Sequence, residues 1–516
     1  MLENDREPRP ADSKVYLLDD LASLVEQWHK AGETVVHCHG VFDLLHPGHI
    51  KHLEAAKKQG DRLIVTITSD RHVNKGPGRP IFEEGLRAFT LASIGGVDAV
   101  AVNQWQTAVK TINLVKPDIY VKGSDYATPD LDITGKIREE VDALEAIGGR
   151  LHVTDEVTFS SSALINRNID VYPTEIAEWL SGFRKNFQEE QVLNYFDQIS
   201  EMKVLVLGEA IIDEYIFCEG LGKSSKDPIL AFQYLESETY AGGSLAVANH
   251  LAGLCNRVSL LTVLGEQDSR EGFISKSLHS NIVTNFIYRD DAPTIKKRRY
   301  VDTHTKSKLM EIYEMGPETM SPKHEEAVIS KLKEIAGDFD IVIVTDYGHG
   351  LMTSDIIAKV TQQAKFLAVN AQHNAGNRGF NTISRYLKAD YICMNGQELA
   401  IETRQRHAPP TELLSQITKN IECDAFTVTL GKYGTLHYGR HDGFSSAPAF
   451  AVRVVDRVGS GDAVLAVTAP LVALGAPWDI VGFVSNVIGA QLVGEVGTQF
   501  SVSKAGIGNQ IKSLMK

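Results

Sequence analysis

Two successive series of short β-branched runs, each alternating with helix-like stretches, constrain this chain more than any other feature. The first series spans about residues 33–167 and includes TVVHCHGVF, RLIVTITS, AVAVN and DIYVKG. The second begins at Lys203 with KVLVLGEAIIDEYIF and continues through VSLLTVLGE, DIVIVTDYG and AFTVTLGKYG. Strands interleaved with helices at this spacing are typical of βαβ units around a parallel sheet. The sequence therefore predicts two α/β domains, of which the first is Rossmann-like.

The segments outside the two series predict how the domains are arranged. Apolar residues such as Ile176, Trp179 and Phe183 recur at helical spacing between residues 173 and 200, which indicates a packed helical connector. The opening MLENDREPRPADS is charged and lacks an apolar period, as in a disordered tail. The predicted organisation is a tail at 1–13, a first domain at 14–170, a connector at 171–201 and a second domain at 202–516.

Composition narrows the classes of function. A chain of 516 residues with 43% hydrophobic residues is too long for one ordinary core and is composed like a folded protein. The net charge of -14 argues against a general binder of nucleic acid or of membranes, so anionic substrates would need local basic pockets. The cysteines lack paired spacing, and no signal peptide or long apolar span is visible. These features predict a cytoplasmic enzyme with small-molecule substrates.

The first chemical motif lies in TVVHCHGVFDLLHPGHIKHLEAAKKQG, which has the pattern strand, short loop, helix. Pro47 suits the first helical position, and His46 and His49 are three residues apart, so both imidazoles can face one pocket. A helix N-terminus offers free N–H groups to a phosphate, and the imidazoles add donors where charge develops. This pattern predicts attack on a nucleotide α-phosphate. The alternative is a zinc site or a histidine-rich surface that includes His37, His39 and His52.

The segment GVFDLLHPGH resembles the signature of cytidylyltransferase-like nucleotidyltransferases. LIVTITSD, NKGPGRPI, VDAVAV, PDIYVKGSDY and TFSSSALINR follow in the order seen in heptose-phosphate adenylyltransferases. The resemblance implies that His46 and His49 stabilise the transition state. It implies nucleotide contacts from Gly40, Phe42, Asp43, Gly48, Lys75, Arg87, Ser160, Ser161 and Ser162, and places Lys122, Asp125 and Tyr126 beside the sugar or nucleotide. His39 stands where those enzymes usually have Asn, and Gly85 replaces an acidic residue, so ATP and CTP both stay open as substrates.

The second chemical motif is VVDRVGSGDAVLAVTAPLVAL, in which Gly459, Ser460, Gly461 and Asp462 lie between an extended run and an apolar helix-like run. A glycine-rich turn that opens a helix suits an anion, because its N–H groups can approach phosphoryl oxygens. A carboxylate beside them can take the proton of an attacking hydroxyl, which predicts Asp462 as the catalytic base. Taken alone, the motif could also be an ordinary loop and helix cap.

DRVGSGDAV resembles the signature of ribokinase-like carbohydrate kinases, and YAGGSLAVANHLAGL, NGQE and VTLGKYG precede it in that family's order. PTIKKRRY, SKLMEIYEM and TDYGHGLM further resemble the kinase half of bifunctional heptose 7-phosphate kinase/heptose 1-phosphate adenylyltransferases. The domain order here is the reverse of that familiar fusion. The resemblance implies a ribokinase-like α/β domain with a small β lid.

The same resemblance assigns roles to residues of the second domain. Sugar or sugar-phosphate contacts are expected from Asp213, Gly242, Gly243, Asn249 and Lys296, with Lys223 and Lys226 as further candidates. Nucleotide contacts are expected from Asn395, Glu398, Gly431, Gly434, Gly459, Ser460 and Gly461, and Glu398 is the expected Mg²⁺ ligand. The basic run Lys296–Arg299 could equally be a solvated strand. Ala246, His349 and Asn370 depart from the heptose kinases, so the sugar could differ.

The resemblances together imply a bifunctional enzyme that makes a nucleotide-activated sugar, ADP-heptose in the first instance. ATP would serve the kinase half and ATP or CTP the nucleotidyltransferase half, with Mg²⁺ in both. A homodimer is expected, in which PILAFQYLESETY supplies a strand to the partner's sugar site. The alternatives are the same chemistry on another sugar or with CTP or GTP, and a chain in which one half is inactive and regulatory.

Overall fold

A computed structural model describes residues 11–73, 75, 79–123, 136–154, 172–305, 307–317, 319–451, 459–493 and 501–515. The chain divides into two compact units, Met1–Pro173 with Gly508–Lys516, and Thr174–Ile507. Most of the predicted N-terminal tail, residues 1–10, lies outside the described residues. Its last part begins a 3-10 helix at Ala11–Lys14, where the Lys14 ammonium donates to the Val97 carbonyl at 2.9 Å.

The first unit is built on a parallel sheet of six strands. Its strands are β1 (Val15–Tyr16), β2 (Val35–Gly40), β3 (Arg62–Thr68), β4 (Ala99–Asn103), β5 (Ile119–Lys122) and β6 (Arg150–Val153). Its described helices are α1 (Leu18–Lys30), α2 (Pro47–Lys57), α3 (Glu84–Ala92), α4 (Val109–Val115) and α5 (Lys136–Ala146). Because helices cover the sheet, its central strands are apolar runs with few polar interruptions, as in RLIVTIT.

The strand order of this sheet locates its ligand-binding edge. The order is β1-β4-β3-β2-β5-β6, and every neighbouring pair is parallel. The chain therefore changes direction across the sheet between β2 and β5, and ligands of open α/β sheets bind outside the carboxyl ends of the strands at such a switch point. The loop GVFDLLHPGH leaves the carboxyl end of β2 at this point.

The second unit begins with two helices, α6 (Thr174–Asn186) and α7 (Glu189–Glu201), in the region of the predicted connector. On α6 the Trp179 and Phe183 rings stack at 5.4 Å, and Phe183 stacks on Phe483 at 4.4 Å. The Trp179 indole also donates to the Ser446 carbonyl at 3.2 Å. The helices thus pack on the body of the second unit. The exact domain limits stay a prediction.

The body of the second unit contains two sheets. The remaining strands are β7 (Lys203–Gly208), β8 (Ala210–Lys223), β9 (Leu230–Gly243), β10 (Arg257–Gly265), β11 (Ile282–Arg289), β12 (Ile295–Asp302), β13 (Lys308–Glu314), β14 (Ile341–Asp346), β15 (Leu367–Ala371), β16 (Tyr391–Asn395), β17 (Ala425–Thr429), β18 (Thr435–Gly439) and β19 (Gly443–Ala447). Nine of them form a sheet in the order β11-β10-β7-β14-β15-β16-β17-β18-β19. A separate four-stranded sheet has the order β13-β12-β8-β9, which confirms the small β lid.

Helices cover the nine-stranded sheet. They are α8 (Ser244–Ala252), α9 (Glu271–Ser277), α10 (Pro322–Ile335), α11 (Ser354–Gln363), α12 (Gly396–Thr403), α13 (Pro410–Ile417), α14 (Ser460–Ala473) and α15 (Trp478–Leu492), followed by α16 (Lys504–Met515), which crosses the division between the units. The apolar runs of α14 and α15 are buried along most of their length. In the part of the chain that the structure describes, no helix has the length and apolarity needed to cross a membrane.

Candidate active sites

The first site is formed where β2 leads into α2. His46 caps the N-terminus of α2, and its Nδ1 accepts the N–H of Gly48 at 3.1 Å. The rings of His46 and His49 stack with centroids 3.9 Å apart, and Phe42 meets His49 edge-on at 5.3 Å. Phe42 has a φ of 50°, which turns the chain sharply after Gly40. The structure thus brings the two predicted imidazoles together at a helix N-terminus.

Burial keeps both imidazoles neutral. Burial, with His46 and Lys75 nearby, lowers the pKa of His49 to about 3, and burial and Lys75 lower the pKa of His46. The buried Nδ1 of His49 has no hydrogen-bond partner in the structure. A neutral imidazole can still donate one N–H, and an approaching phosphate would offer an acceptor. The proximity of Lys75 to both rings also places a cation where triphosphate oxygens would bind.

Asp43 and Arg87 hold the loop around the histidines. Asp43 Oδ1 accepts the N–H groups of Ile81 and Phe82 at 2.7 and 3.1 Å. The Arg87 side chain is fully buried and donates to the carbonyls of Val41, Thr68 and Phe82 and to the Asp70 carboxylate. Four of its five N–H groups are thereby used inside the protein. The sequence predicted that Arg87 holds phosphate, whereas here it positions the loop.

Each of the other histidines of the motif has one ring nitrogen bonded to a threonine hydroxyl. His37 Nε2 and His39 Nδ1 lie 2.7 and 2.9 Å from Thr66 Oγ1, and His52 bonds to Thr154 in the same way. These histidines are not part of a three-residue set with metal-ligand spacing among the described residues. The described geometry therefore favours phosphate chemistry over the zinc alternative.

Lys122 lies at the carboxyl end of β5, beside β2. Its Nζ is 2.9 Å from Glu140 Oε2, and both side chains are buried. Burial would raise the pKa of Glu140, but Lys122 and His39 lower it to about 2, so the pair is ionic. Asp125, Tyr126 and Ser160, Ser161 and Ser162 lie outside the described residues.

The second site is formed at the N-terminus of α14. Gly459 precedes the helix with a φ of 80°, a conformation that glycine adopts at little cost, and a Cβ at Gly461 would meet open space. Asp462 lies in the first turn, where the Tyr347 hydroxyl donates to its Oδ1 at 2.9 Å. Asp462 is thus held at a helix opening that has room for an anion, as the glycine-rich motif predicts.

The charge state of Asp462 suits a base. Burial raises its pKa to about 6 and Asp213 adds to the rise, while the Tyr347 hydrogen bond and Lys297 oppose it. The carboxylate is therefore ionised at neutral pH, yet it is a much better proton acceptor than an exposed aspartate. A pKa near the operating pH is the property that general-base catalysis needs.

Asp213 lies on β8, the lid strand that pairs with both β9 and β12. Its Oδ1 accepts from Arg299 Nη1 in a buried ion pair. A Cβ at Gly242 would overlap Asp213 Oδ2, and one at Gly243 would come within 2.6 Å of the Glu209 carbonyl. The paired glycines are thus required because the lid strands approach each other closely here. They bring Asp213 near Asp462, whose pKa it raises.

The basic run on β12 divides between the two faces of the lid. Lys296 forms ion pairs with Glu314 at 2.9 Å and Asp268 at 3.4 Å. Lys297 points the other way, with its Nζ 5.0 Å from the Tyr313 ring and 5.9 Å from that of Tyr347. Lys296 is the residue predicted to contact the sugar phosphate, but the lysine whose charge acts on Asp462 is Lys297.

Lys297 is buried and has the electrostatics of a phosphate-binding cation. Burial lowers its pKa, while Asp213 and Glu209 act to raise it. Alternation along the strand could have found it, because Lys297 and Arg299 share a face with the predicted Asp213 across the β8–β12 pair. Tyr347 and Glu209 were likewise missed. Tyr347 lies in TDYGHGLM and Glu209 in KVLVLGEAIIDEYIF, but the pattern of neither segment singles out these side chains.

Glu209 supports the loop that carries Tyr347 and His349. Its carboxylate accepts the N–H groups of Tyr347 at 3.0 Å and His349 at 3.1 Å. Burial and the neighbouring Asp346 raise the pKa of Glu209 to about 7. His349 is buried, its Nε2 has no hydrogen-bond partner in the structure, and burial and Lys297 lower its pKa to about 3. The ring therefore presents a neutral nitrogen near Lys297.

Asn395 and Glu398 form a capping box at the start of α12. Asn395 Oδ1 accepts the Glu398 N–H at 2.9 Å, and Glu398 Oε2 accepts the Asn395 N–H at 2.8 Å. Burial raises the pKa of Glu398 to about 7, with a contribution from Asp462. The carboxylates of Glu398 and Asp462 thus repel each other. Such a pair suits a hard cation such as Mg²⁺, which prefers oxygen ligands.

The remaining predicted residues divide between the nucleotide side and the scaffold. Gly431 and Gly434 flank a short 3-10 turn after β17, where a Cβ at Gly434 would overlap the Ala447 carbonyl. Asn249 uses its amide to bond the Ser277 carbonyl and the His279 N–H, so here it fixes α8 rather than facing the site. Lys223 is exposed at the end of β8. Lys226 is exposed in the turn that follows.

The described geometry defines a class: an α/β kinase unit with a carboxylate at a helix opening and a four-stranded lid, preceded by a Rossmann-like unit with an HxxH helix start. The profile "pfkB family carbohydrate kinase" matches residues 201–505, more than half of the 516 residues. The chain belongs to the pfkB family of carbohydrate kinases. The profile "Cytidylyltransferase-like" matches residues 37–167. These matches confirm the predicted order of a nucleotidyltransferase-type domain followed by a kinase domain.

Curated relatives and solved structures agree with this division. The chain is 39% identical over 170 residues to the bifunctional protein HldE of Methylobacillus flagellatus, covering 33% of each chain. It is 40% identical over 164 residues to the bifunctional protein HldE of Syntrophotalea carbinolica, covering 31% of this chain and 32% of that one. The match spans about a third of the length of these relatives.

The structure of phosphofructokinase-2 from Escherichia coli in complex with potassium is similar to 61% of this chain over its whole length. The TM-score is 0.50 at 15% identity, so the likeness concerns the fold.

Proposed function

We propose that the chain is a bifunctional sugar kinase and sugar-phosphate nucleotidyltransferase that makes ADP-heptose from heptose 7-phosphate by way of heptose 1-phosphate. The observation that carries the kinase half is Asp462, held by Tyr347 at a glycine-rich helix opening beneath a lid that contributes Asp213 and Lys297. The nucleotidyltransferase half rests on the stacked His46 and His49 at the start of α2 and on the similarity to the HldE proteins.

In the kinase half, Asp462 takes the proton of the anomeric hydroxyl of the sugar phosphate. The resulting oxygen attacks the γ-phosphorus of ATP, the bond to the β-phosphate oxygen breaks, and ADP leaves. The N–H groups at Gly459, Ser460 and Gly461 and the Lys297 ammonium receive the developing charge. Glu398 and Asn395 would help to hold Mg²⁺, which would neutralise phosphate charge. Gly431 and Gly434 border the adenosine.

In the nucleotidyltransferase half, an oxygen of the sugar 1-phosphate attacks the α-phosphorus of the nucleotide, and pyrophosphate leaves. His46 and His49 donate to the oxygens that gain charge, and Lys75 holds the leaving pyrophosphate. Since the kinase product carries two phosphates, a separate reaction must remove one of them before this step. Lys122, beside His39 and Glu140, would border the bound sugar phosphate or nucleotide.

The first test is turnover of the purified full chain with ATP, Mg²⁺ and D-glycero-D-manno-heptose 7-phosphate, with mass detection of the bisphosphate. Heptose 1-phosphate is then supplied with ATP, CTP or GTP, and pyrophosphate is measured. We expect Asp462→Asn to abolish only the first reaction and His49→Ala only the second, with circular dichroism as a check of folding. Retention of nucleotide transfer in His49→Ala would refute the assigned mechanism. Absence of either reaction in the wild-type chain would contradict two active halves.

A second candidate is the same pair of reactions on a different sugar. It is favoured by His349, whose unpartnered Nε2 lies near Lys297 at a position where the heptose kinases usually have Lys. Sedoheptulose 7-phosphate and common hexose phosphates therefore belong in the first assay. Bisphosphate formed from one of these and not from the heptose would select the second candidate.

We further propose that the chain forms a homodimer through its lid. Several apolar side chains of the lid strands are exposed, including Leu230, Tyr234, Leu309, Met310 and Ile312. Large apolar side chains exposed on both edge strands of the lid favour an interaction with another chain. The segment PILAFQYLESETY, which contains most of β9, would supply the partner contact.

A further inference from the structure

We propose that Asp290, Asp291 and His324 form a binding site for a divalent transition-metal ion such as Zn²⁺, separate from the Mg²⁺ of phosphoryl transfer. Asp290 and Asp291 directly follow β11, and His324 lies in the first turn of α10. One ligand atom from each residue lies within 4.8 Å of the others. Among the described residues this is the one group of histidine, cysteine and acidic side chains with such spacing.

His324 is the observation that separates this group from an ordinary acidic surface. Its side chain is 4% exposed, and its Nε2 has no hydrogen-bond partner although it lies 3.4 Å from Asp290 Oδ1. Its Nδ1 lies 2.7 Å from the Ser321 hydroxyl, which fixes the ring. Metal-binding histidines characteristically have their second nitrogen hydrogen-bonded in this way. The ring thus has its bare Nε2 toward Asp290, while Asp291 Oδ1 lies 3.7 Å from Nδ1.

The charges around the group allow a cation to enter. Asp290 and Asp291 side chains are 58% and 32% exposed, so water can complete the coordination. Arg289 Nε lies 2.6 Å from Asp291 Oδ1, and Lys323 Nζ lies 4.0 Å from Asp290 Oδ2. Each cation occupies one oxygen of its aspartate and leaves the other. These cations compete with the metal and weaken its binding.

The ligand set decides the class of metal. One imidazole and two carboxylates, with water, suit Zn²⁺ and its neighbours. Mg²⁺ prefers an all-oxygen octahedral shell and is disfavoured by the imidazole. The two metals of the protein would therefore be distinguished by chemistry as well as by position.

Binding at this group would join a connection at the base of the lid to the start of α10. Residues 290–294 link β11 to lid strand β12, and residues 315–321 link lid strand β13 to α10. Arg289 Nη2 already reaches the Thr319 carbonyl at 3.5 Å, and Gly316 lies so close to Ala292 that a Cβ would overlap it. A metal held by Asp290, Asp291 and His324 would fix the first connection against α10 and so restrain lid strand β12, into which that connection leads.

The test is equilibrium dialysis of the chelator-treated full chain against micromolar Zn²⁺ in the presence of excess Mg²⁺, with zinc counted by mass spectrometry. We expect His324→Gln and Asp290→Asn each to bind a single zinc ion fewer than wild type. His304→Gln is the matched control, because His304 pairs with Glu219 at 3.2 Å on an exposed part of the lid. Any zinc bound elsewhere on the chain is common to all samples and cancels in the difference.

Equal zinc content in wild type, His324→Gln and Asp290→Asn would overturn the proposal, as would the same loss in His304→Gln. If the buried His324→Gln variant fails to fold, the half-exposed Asp290→Asn decides the matter. As a second readout, Zn²⁺ should raise the thermal midpoint of wild type and of His304→Gln but not that of Asp290→Asn. A zinc-induced rise of equal size in Asp290→Asn also refutes the site.

Discussion

At the residue scale, the kinase site depends on a few hydrogen bonds that set the charge of one carboxylate. Asp462 is partly desolvated, and Tyr347 donates to its Oδ1 at 2.9 Å. Burial raises the pKa of Asp462 to about 6, and the Tyr347 hydrogen bond holds it below the value that burial alone would give. A base with this pKa is protonated and inactive below about pH 6 and active above it.

Tyr347→Phe removes the hydrogen bond that favours the carboxylate, so the pKa of Asp462 should rise above about 6. We expect the acidic limb of kcat/KM for the kinase reaction to move to higher pH, with activity largely retained at alkaline pH. Tyr195→Phe is the control, because Tyr195 lies on α7, outside the kinase site. An unchanged acidic limb in Tyr347→Phe would show that another group titrates in this profile.

Gly461 provides a test of phosphate approach at the same helix. A Cβ there meets open space in the ligand-free protein, so Gly461→Ala should leave stability nearly unchanged. If the N–H groups approach phosphoryl oxygens, the added methyl group should raise KM for ATP by at least about tenfold. Gly182→Ala on α6 also meets open space and should leave the kinetics unaltered. Equal KM values for the two variants would place the phosphates elsewhere.

At the element scale, the two faces of β12 separate a lysine that serves the site from one that stabilises the lid. Lys297 faces Tyr347 and is buried, whereas Lys296 is paired with Glu314 and Asp268. We expect Lys297→Met to lower kinase kcat/KM by roughly a hundredfold or more, since a preorganised cation is lost. Lys296→Met loses partly exposed ion pairs and should lower it by less than about tenfold.

The outcome that contradicts this assignment is a larger kinetic loss in Lys296→Met than in Lys297→Met. Thermal midpoints of both variants are measured as well, so that loss of lid structure is not mistaken for loss of a substrate contact. Pyrophosphate release by the other half-reaction should be unchanged in both variants, which gives an internal reference for active enzyme.

The elements were more predictable than the side-chain contacts. Apolar β-branched runs such as RLIVTIT and the helical periodicity near Trp179 depend on local pattern, and both form the structures that they indicate. The functional face of β12 depends on its register against β8, which no short-range pattern specifies. The position of Arg87 in the motif suggests phosphate binding. In the structure its guanidinium is buried and donates to the carbonyls of Val41 and Thr68. Tertiary contacts of this kind leave no local signal.

At the scale of the whole molecule, the exposed apolar surface of the lid predicts the oligomeric state. The Tyr234 and Met310 side chains are 62% and 53% exposed on lid strands β9 and β13. Exposed apolar side chains of this size favour contact with another chain, and a two-fold symmetric interface would bury each of them in both copies. The protein should therefore sediment as a dimer at micromolar concentration.

Tyr234→Glu is the variant that tests this interface. Burial of a large apolar side chain is worth about 1.5–3 kcal/mol, and the symmetric contact doubles it, so the dimer dissociation constant should rise at least about a hundredfold. Leu387→Glu is the matched control, since Leu387 is 72% exposed outside the lid. Sedimentation velocity over a dilution series measures both variants against wild type. A monomeric wild type would contradict the lid interface. So would an equal rise of the dimer dissociation constant in Leu387→Glu, because the effect would then not depend on where the new charge lies.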